Sequence, residues 1–422
     1  MTNKLNNSFA LKDGGYSNYE DTLSLARHRW YYYKEGFSPL LVDKAIELVG
    51  VNDNEFILDP FNGSGTTTLS AAIKGKKSIG IEVNPFTAFL SDAKLKSSSN
   101  ASIDKAFEGI IKASKKKSNS DLIGFSTFSK TSEIEKWLFN KTVLNNFDAG
   151  WKTIKNIQSY DLRKITKLAL IISAMDNCNA IKDGKCLRYR DGWQNNNFNR
   201  KSFLESLYNN FEIIKKDIED APLLSRATIL NGDARRQLKS NSIEKFKLCI
   251  TSPPYLNTFD YTDIYRPELF LGKFINDNEQ LYNLRLKTVR SHIQAKWNNP
   301  LLKDFGLLYE QSIQHINAHK DQLMHKNIPL MVQAYFEDMF NILKLLKLKA
   351  QKDAELWLVV SNSAYANKEI PVDLIIGDLG SEAGWYLKEI GVLRHIRRRK
   401  TKHSPDINEL RESVVIFSNS KK

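Results

Sequence analysis

Short apolar runs recur along the chain and end at glycine, proline or polar residues, which is the pattern of buried strands. Such runs predict strands at residues 56–58, 78–84, 227–230, 247–252, 356–360, 390–396 and 412–417. Helical spacing of apolar residues predicts helices at 40–49, 329–348 and 369–382. Strands that alternate with helices are typical of an α/β protein with a doubly wound, mostly parallel sheet.

Two stretches interrupt this alternation. Residues 96–225 lack alternating strands and carry helical periodicity, for example at Ile103, Phe107 and Ile110, so they predict an inserted helical region. A second interruption spans about 266–334. The expected organisation is therefore an N-terminal core part at 20–95, a helical insertion at 96–225, a core part at 226–265, a second insertion at 266–334 and a C-terminal core part at 335–418.

The predicted strand at 247–252 ends at two prolines and an aromatic ring, in the order Ser252-Pro253-Pro254-Tyr255. Proline cannot donate to a sheet ladder, so the strand has to end there, with the Ser252 hydroxyl and the Pro253 carbonyl facing a cleft. The ring of Tyr255 offers a flat face that suits a planar base taken out of a nucleic-acid stack. A strand that ends at Pro-Pro is also ordinary punctuation, so the motif alone leaves both interpretations open.

A glycine-rich loop follows the predicted strand at 56–58 and leads into a helix; it reads Asp59-Pro60-Phe61-Asn62-Gly63-Ser64-Gly65-Thr66. Glycines let the backbone approach a ligand closely, and the helix presents free N–H groups and its positive dipole end. The spacing matches neither the dinucleotide motif G-x-G-x-x-G nor the phosphate loop G-x-x-x-x-G-K-[ST]. Phosphate binding is therefore not the favoured use of this loop.

Two acidic residues end later strands. Glu82 follows the glycine loop by about twenty residues, the spacing at which doubly wound nucleotide-binding folds hold ribose hydroxyls with a carboxylate. Asp233 follows the strand at 227–230, at a carboxyl end where ligands collect. We therefore expect Glu82 to bind a ribose and Asp233 to flank an adenine ring, with solvated strand ends as the alternative.

Together the two loops resemble those of S-adenosylmethionine-dependent DNA amino-methyltransferases of bacterial restriction-modification type. Residues 59–66 match the family's cofactor loop, usually D-P-F-x-G-S-G-T, and residues 252–255 match its catalytic S/D/N-P-P-Y/F loop. The segment 28–39 and the helix after it resemble the element that packs over the methionine end of the cofactor. The resemblance covers residues 20–95, 226–270 and, more loosely, 355–418.

The resemblance implies a Rossmann-like methyltransferase fold, in which a seven-stranded doubly wound sheet ends in an antiparallel hairpin, and it implies S-adenosylmethionine as the cofactor. It assigns cofactor binding to Asp59, Pro60, Phe61, Gly63, Ser64, Gly65, Thr66, Glu82 and Asp233. The catalytic residues it implies are Ser252, Pro253, Pro254 and Tyr255. A flipped base would stack on Tyr255 while Ser252 and the Pro253 carbonyl accept hydrogen bonds from its amino group.

The target amine and the substrate class stay open at this point. Serine at position 252 favours cytosine N4, because by the resemblance an aspartate there would suit adenine N6 better. An RNA or protein amine methyltransferase would share both loops, although no appended RNA module is recognisable. A cofactor-binding module that only grips DNA is a third interpretation, disfavoured because neither loop carries a disabling substitution.

Positive charge predominates: 62 lysine and arginine residues against 48 aspartate and glutamate residues give +14. This excess favours a polyanion such as double-stranded DNA, although acidic small substrates or a membrane surface could exploit it. The turn of the predicted terminal hairpin, Arg397-Arg398-Arg399-Lys400, is expected to contact phosphates. The stretch 188–200 carries arginine and amide side chains that can read base edges. Residues 286–292 are a further candidate, and solvated surface is the alternative in each case.

Other patterns bear on location, metals and partners. No apolar run approaches the roughly 20 residues of a membrane helix, and no signal-peptide region is recognisable, so we expect a cytoplasmic, nucleoid-associated bacterial protein without a membrane partner. His315 and His319 lie one helical turn apart, but no acid or cysteine completes a ligand set, so no metal is expected. The resemblance also implies a cognate restriction endonuclease, while the recognition sequence and oligomeric state have no signature here.

Overall fold

The computed structural model of the protein describes residues 4–9, 16, 19–184, 186–397 and 403–421. The strands are β1 (Leu5–Asn6), β2 (Phe56–Asp59), β3 (Lys77–Glu82), β4 (Ala180–Asp183), β5 (Cys186–Tyr189), β6 (Ala227–Asn231), β7 (Phe246–Thr251), β8 (Ala350–Ser361), β9 (Ser363–Tyr365), β10 (Lys368–Ile370), β11 (Tyr386–Arg397) and β12 (Glu409–Ser418). All seven predicted strands are thereby confirmed, as β2, β3, β6, β7, β8, β11 and β12.

The helices lie between and beside these strands. They are α1 (Pro39–Val49), α2 (Thr66–Ile73), α3 (Pro85–Lys94), α4 (Asn100–Ser114), α5 (Lys141–Thr153), α6 (Tyr160–Asp176), α7 (Arg200–Asp220), α8 (Ala234–Gln237), α9 (Tyr261–Ile264), α10 (Arg266–Leu271), α11 (Asn278–Arg285), α12 (Leu307–Ala318), α13 (Ile328–Lys349) and α14 (Val372–Glu382). The helix expected from 369 begins at Val372, because β10 occupies the preceding residues and Pro371 separates the two.

One eight-stranded sheet forms the centre, in the order β1-β11-β12-β8-β7-β2-β3-β6. Neighbours from β6 to β8 pair in parallel, whereas β12 runs antiparallel to both β8 and β11. The chain adds strands on both sides of β2, which is the doubly wound order and confirms the predicted fold class. The eighth strand, β1, was not expected, since two residues at the sheet edge leave no pattern in a sequence.

Side chains of the central strands alternate between two hydrophobic layers, because successive residues of a strand point to opposite faces. Ile57, Leu248 and Trp357 belong to one layer, where they pack with α1 and α2. Leu58 and Cys249, each the next residue along its strand, belong to the other layer with α13 and α14. Helices therefore cover both faces of the sheet. The ends of the strands remain accessible to a ligand.

Local signals set the ends of the helices that flank the strand ends. In α1, the Ser38 side chain accepts a hydrogen bond at the N-cap, Pro39 takes the first helical position, and Gly50 ends the helix at a φ of +66°. Asn84 and Pro85 repeat the same start at α3, directly after β3. These caps satisfy backbone groups that a helix end leaves free, and they fix where each helix leaves the sheet.

Residues 96–225 form a helical insertion whose body is α4 to α7. Within it, β4 and β5 form one antiparallel hairpin, which was not predicted from the sequence. These strands are half exposed and carry charged side chains, so they lack an apolar run. The insertion shares one hydrophobic cluster with the helices beside the sheet, through residues such as Phe86 of α3, Leu168 of α6, Phe211 of α7 and Phe270 of α10.

A buried ion pair joins the β4–β5 hairpin to α10. Lys182 Nζ lies 2.5 Å from Glu268 Oε1, and the two side chains are 9% and 0% exposed. The Tyr31 hydroxyl donates a hydrogen bond to Glu268 and accepts one from Lys182. The Lys182 ammonium also lies 4.4 Å from the centroid of the Tyr265 ring. Moving the hairpin away would leave a buried charge without its partner, which is strongly destabilising. The cluster therefore holds the hairpin against α10.

Within the part of the chain that the structure describes, every helix is too short or too polar to cross a membrane.

Candidate active site

Two loops meet where the strand order of the sheet reverses, between β2 and β7. The glycine loop follows β2 and the Pro-Pro loop follows β7, so the parallel strands carry both to the same edge. A cavity of about 460 Å³ lies there and is lined by both loops. Ligands of doubly wound folds bind at such a reversal, and sites for small molecules typically measure about 300–1,000 Å³.

The glycine loop is held tightly against β3 and α3. Gly63 and Gly65 adopt φ angles of +48° and +87°, which other residues rarely adopt. A Cβ atom on Gly65 would lie 2.7 Å from the Cβ of Ser91 in α3. The N–H of Gly63 donates to Glu82, and the N–H of Asn62 donates to the backbone of β3. The loop therefore needs glycine both for its conformation and for its packing.

Asp59 links the two loops. It is the last residue of β2 and only 2% exposed. Its Oδ1 accepts a hydrogen bond from the Thr251 hydroxyl at 2.5 Å and from the Phe61 N–H at 3.0 Å. Burial raises the pKa of Asp59 to about 6, against these hydrogen bonds, which favour the charged form. The carboxylate therefore stands at the junction of β2, β7 and the glycine loop.

Glu82 stands at the end of β3, on the cavity wall. One carboxylate oxygen accepts the N–H of Gly63 and the other accepts the N–H of Asn84, each at 2.8 Å. Burial raises the pKa of Glu82. Each carboxylate oxygen has two lone pairs, so the backbone bonds fix the group and leave acceptors for a ligand. Its role as a ribose ligand stays a prediction.

Asp233 lines the same cavity but already has structural partners. Its carboxylate accepts the N–H of Arg235 at the start of α8, and it pairs with the Arg235 guanidinium at 3.0 Å. The same guanidinium pairs with Asp338 of α13 at 2.8 Å. The contact of Asp233 with an adenine ring stays a prediction. Asp233 would have to make this contact while it remains paired with Arg235.

Four consecutive residues after β7 line the cavity: Ser252, Pro253, Pro254 and Tyr255. The Ser252 hydroxyl lies 3.2 Å from the carbonyl oxygen of Val359 and 3.3 Å from the hydroxyl of Tyr255. Burial raises the pKa of the Tyr255 hydroxyl, and the charge of Glu412 adds to the effect. Tyr255 is therefore a neutral phenol that can donate its hydrogen.

The terminal hairpin contributes a carboxylate that the sequence analysis missed. Glu412 in β12 is 3% exposed, and its Oε1 accepts the hydroxyl of Tyr255 at 2.8 Å. Its Oε2 accepts a hydrogen bond from Nε of Arg394, the opposite residue in β11, at 2.7 Å. The available signal was topological: the start of an antiparallel strand lies beside the ends of its parallel neighbours. Glu412 thus faces the same cavity as Ser252.

Aromatic side chains line a further part of the cavity: Tyr33, Phe259, Tyr261 and Tyr265. The rings of Tyr33 and Tyr265 stack with centroids 5.5 Å apart and planes 17° apart. The Tyr265 hydroxyl donates to Glu35, whose pKa is raised by burial. These residues were not predicted from the sequence, although two tyrosines one helical turn apart, directly after the Pro-Pro loop, were a usable signal.

The second interruption supplies another stretch of cavity wall, at Lys287, Thr288, Val289, Ser291 and His292. Arg290, between them, is bound to α13 instead, where its guanidinium lies 2.6 Å from Glu337 and 2.8 Å from Asp338. Burial lowers the pKa of His292, whose ring packs against Trp297. This segment therefore helps to enclose the cavity, and its contact with DNA stays a prediction.

Some polar side chains of the stretch 188–200 already make contacts within the protein. Arg188 pairs with Asp183 at 2.6 Å and with Asp191 at 3.3 Å, and Asn199 caps α7. The amide side chains left exposed there are those of Gln194, Asn195 and Asn197. Fewer side chains than expected are thus available to read base edges.

The basic turn of the terminal hairpin is described only at its start. Arg397 is exposed at the end of β11. Arg398, Arg399 and Lys400 lie outside the described residues. The predicted phosphate contacts of this turn therefore stay a prediction.

The two histidines considered for metal binding make other contacts. Nε2 of His315 lies 2.9 Å from the carbonyl oxygen of Ala366, and Nδ1 of His319 lies 2.9 Å from that of His315. Among residues 4–9, 16, 19–184, 186–397 and 403–421, no three histidine, cysteine or acidic side chains are grouped to hold a metal ion.

Known proteins similar to this chain are methyltransferases. A family model described as DNA methylase matches residues 2–92, which include β2, the glycine loop and β3. The type II methyltransferase M.BsoBI of Geobacillus stearothermophilus is 27% identical over 94% of this chain and 87% of its own length. The type II methyltransferase M.AvaI of Nostoc sp. is 24% identical over 88% of this chain and 81% of its own.

Among solved structures, an rRNA methyltransferase, AviRa of Streptomyces viridochromogenes, aligns with 96% of this chain and 97% of its own. Its TM-score is 0.33 and its sequence identity 9%, too low to support an argument. The family model and the two relatives agree with the resemblance of the two loops. The predicted resemblance is thereby confirmed: the chain is similar to the S-adenosylmethionine-dependent DNA amino-methyltransferases of restriction-modification systems.

Proposed function

We propose that the protein transfers a methyl group from S-adenosylmethionine to the exocyclic amine of a flipped base in double-stranded DNA, and that the base is cytosine, methylated at N4. The observation that carries this proposal is that residues 59–66 and 252–255 line one cavity. Either loop alone has other uses. Together they would hold a methyl donor and an amine acceptor in one orientation, which is a large part of catalysis in a two-substrate reaction.

The residues of the cavity fit this cofactor. The carboxylates of Asp59 and Glu82 suit ribose hydroxyls and the positively charged groups of S-adenosylmethionine. At Gly63, a Cβ atom would lie 3.1 Å from the hydroxyl of Tyr33, so glycine keeps the loop backbone open to the cavity. Asn62 lines the cavity, and its buried Nδ2 has no hydrogen-bond partner among the described residues. Such a donor is available to a ligand.

Each loop then has a role. When bound, S-adenosylmethionine supplies a methyl group on a positively charged sulfur, open to attack by a nitrogen lone pair. We assign its binding to Asp59, Pro60, Phe61, Gly63, Ser64, Gly65, Thr66, Glu82 and Asp233. Ser252 and the Pro253 carbonyl accept the hydrogens of the target amine, and Tyr255 stacks on the base with Pro254 bracing the turn. Two acceptors orient the amine and direct its lone pair.

Double-stranded DNA is the proposed substrate, because the chain carries a net charge of +14 and resembles DNA methylases. In this proposal the insertions at 96–225 and 266–334 contact DNA, and the three core parts hold the cofactor and the target base. The name type II methyltransferase of the relatives supports a cognate restriction endonuclease as a partner.

The choice of cytosine N4 rests on Ser252. Serine presents a neutral hydroxyl at the first position of the loop, and by the family resemblance an aspartate there would suit adenine N6 better. The two amines are otherwise alike in needing a flipped base and two acceptors. The choice of cytosine N4 is therefore separate from the proposed enzyme class. Refuting this choice would leave DNA amine methylation as the proposed activity.

Mass spectrometry of nucleosides tests both parts. Purified protein is incubated with S-adenosylmethionine and duplex DNA from a host that lacks methyltransferases, and the digested DNA should contain N4-methylcytosine. N6-methyladenine alone would refute the cytosine choice and keep the class. Methylation of RNA but not of DNA would refute the substrate, and no methylated base in either would refute the proposal.

The basic turn gives a second test. Replacing Arg397, Arg398 and Arg399 by alanine should weaken binding to all DNA sequences alike and flatten the log–log salt dependence by roughly 0.9 for each phosphate that the turn no longer neutralises. A matched control is the triple alanine variant of Lys239, Lys245 and Lys352, three exposed lysines of the core parts that carry the same charge and lie outside both insertions. A salt slope that changes equally in both variants, or in neither, would make the turn ordinary solvated surface.

A further inference from the structure

A chain of hydroxyl groups connects the catalytic loop to a buried carboxylate. The Ser252 hydroxyl can donate to the Tyr255 hydroxyl at 3.3 Å, and the Tyr255 hydroxyl donates to Oε1 of Glu412 at 2.8 Å. Both links therefore point in the same direction, from the cavity toward Glu412. All three residues line the cavity.

Glu412 has the surroundings of a proton acceptor. It is 3% exposed, and Arg394 donates to its second oxygen at 2.7 Å. A carboxylate accepts hydrogen bonds on both oxygens, which matches the two donors that Glu412 faces. The Arg394 side chain is itself 42% exposed, so it connects the buried carboxylate to solvent.

The groups that face Glu412 come from the catalytic loop, α9, β8 and β11. Tyr255 contacts one oxygen and Arg394 the other. Burial raises the pKa of the Tyr261 hydroxyl, across the cavity, and the charge of Glu412 adds to the effect. Ser361 of β8 is the partner of Glu412 in the sheet. Arg394 thus places a positive charge in direct contact with Glu412.

Methylation of an amine leaves a proton to remove. When the nitrogen lone pair forms the new bond to carbon, the nitrogen carries four bonds and a positive charge until one of its hydrogens leaves. A serine hydroxyl is a weak base, so Ser252 can take that hydrogen only by giving up its own at the same time. The hydroxyl of Tyr255 is within reach of it.

We propose that Ser252, Tyr255 and Glu412 form a proton relay that carries this hydrogen away from the target amine; the proposal rests on the function proposed above. As the nitrogen–carbon bond forms and the carbon–sulfur bond breaks, the amine gives one proton to Ser252 Oγ. Ser252 passes its own proton to the Tyr255 oxygen, and Tyr255 passes its own to Glu412. Both hydroxyls end unchanged, and Glu412 ends as a carboxylic acid.

The Ser252 hydroxyl has two possible hydrogen-bond acceptors, of which the relay uses one. The single hydrogen of the Ser252 hydroxyl can point to the carbonyl oxygen of Val359, at 3.2 Å, or to the hydroxyl of Tyr255, at 3.3 Å. The relay uses the second orientation. When a target amine donates to Ser252, the serine oxygen accepts, and its hydrogen remains free to turn to Tyr255.

Two conservative variants test the relay. Glu412→Gln keeps a hydrogen-bond acceptor for Tyr255 but removes the base, and Tyr255→Phe keeps the ring but removes the middle hydroxyl. Each should lower the single-turnover rate of methyl transfer by about 100-fold, the low end of general acid–base effects. The double variant should be no slower than the slower single variant, because residues that act as one unit are not additive. Additive losses, or unchanged rates, would overturn the relay.

A pH profile separates a base from a structural support. The single-turnover rates of the wild type and of Glu412→Gln should depend differently on pH, because the variant lacks the carboxylate that receives the proton. Infrared difference spectra between the wild type and Glu412→Gln, recorded without cofactor at neutral pH, should show an ionised carboxylate. An identical pH dependence in the variant, or a protonated carboxyl band in the wild type, would overturn the proposal.

A control on the same strand guards against general effects. Glu409→Gln makes the same change at an exposed position of β12 and should leave both rate and pH profile unchanged. Affinity for S-adenosylmethionine, measured by calorimetry, should be the same in the wild type and in all three variants. A wild type that methylates no base would refute the proposed function, whereas an active wild type with unaffected variants would refute the relay alone.

Discussion

Replacing Tyr255 by alanine should lower the single-turnover rate of methyl transfer far more than it changes the affinity for S-adenosylmethionine. Stacking of a base on an aromatic side chain contributes about 1 to 3 kcal/mol, or roughly 5- to 150-fold in rate. The variant also loses the hydrogen bond between the tyrosine hydroxyl and Glu412, so we expect a loss at or beyond the upper end. Rapid-quench kinetics on duplex DNA measure the rate, and calorimetry measures the affinity.

The phenylalanine variant at the same position is the matched control. It keeps the ring and loses only the hydroxyl, so Tyr255→Ala should be clearly slower than Tyr255→Phe. Equal rates would show that the ring is not a platform for the base. An equal loss of cofactor affinity and of rate would instead assign Tyr255 to the cofactor site, and thermal unfolding checks that both variants fold.

Alanine at Asp59 or at Glu82 should abolish measurable binding of S-adenosylmethionine while the fold persists. Hydrogen bonds to charged groups contribute about 1.5 to 3 kcal/mol each, so the loss of two at either position weakens binding by at least about 10²-fold. Glu82 also fixes the glycine loop through the N–H of Gly63. Calorimetry gives the affinity, and circular dichroism reports the fold. Unchanged affinity in both variants would contradict the cofactor site.

The pKa of Asp59 adds a pH dependence to this prediction. Because burial raises that pKa to about 6, Asp59 is ionised above this pH and takes up a proton below it. Its contribution to binding the positively charged cofactor should therefore be present near neutral pH and be lost as the pH falls through about 6. Asp59→Asn removes the titration, so its weaker affinity should vary less over the same range.

The strands could be predicted from sequence because their signals are local. A buried strand such as β2 or β7 is an apolar run, and each ends at a residue that cannot continue it, Asp59-Pro60 or Pro253. Two parallel strands that end in unusual loops predict that the loops meet, since the carboxyl ends of such strands share an edge. The meeting of the glycine loop and the Pro-Pro loop was predictable for this reason.

Contacts between distant residues could not be predicted in the same way. Glu412 and Tyr255 are 157 residues apart in the chain, and Tyr265 and Glu35 are 230 apart. In its own segment, each of these residues looks like an ordinary charged residue of a strand or an ordinary aromatic residue of the core. The local sequence therefore gives no reason to single it out. Only the order of β8, β12 and β11 in the sheet brings Glu412 to the Pro-Pro loop, and strand order has no local signature.

The buried pair of Lys182 and Glu268 has a consequence for attempts to exchange the insertion at 96–225 between relatives. Transplanting residues 96–225 alone would carry the lysine and leave its carboxylate partner behind in α10. Removing one partner of a buried ion pair costs about 3 to 5 kcal/mol, because the other charge is left uncompensated. A hybrid protein would therefore fold well only if α10 were transferred with residues 96–225, so the smallest exchangeable unit includes the start of the second insertion.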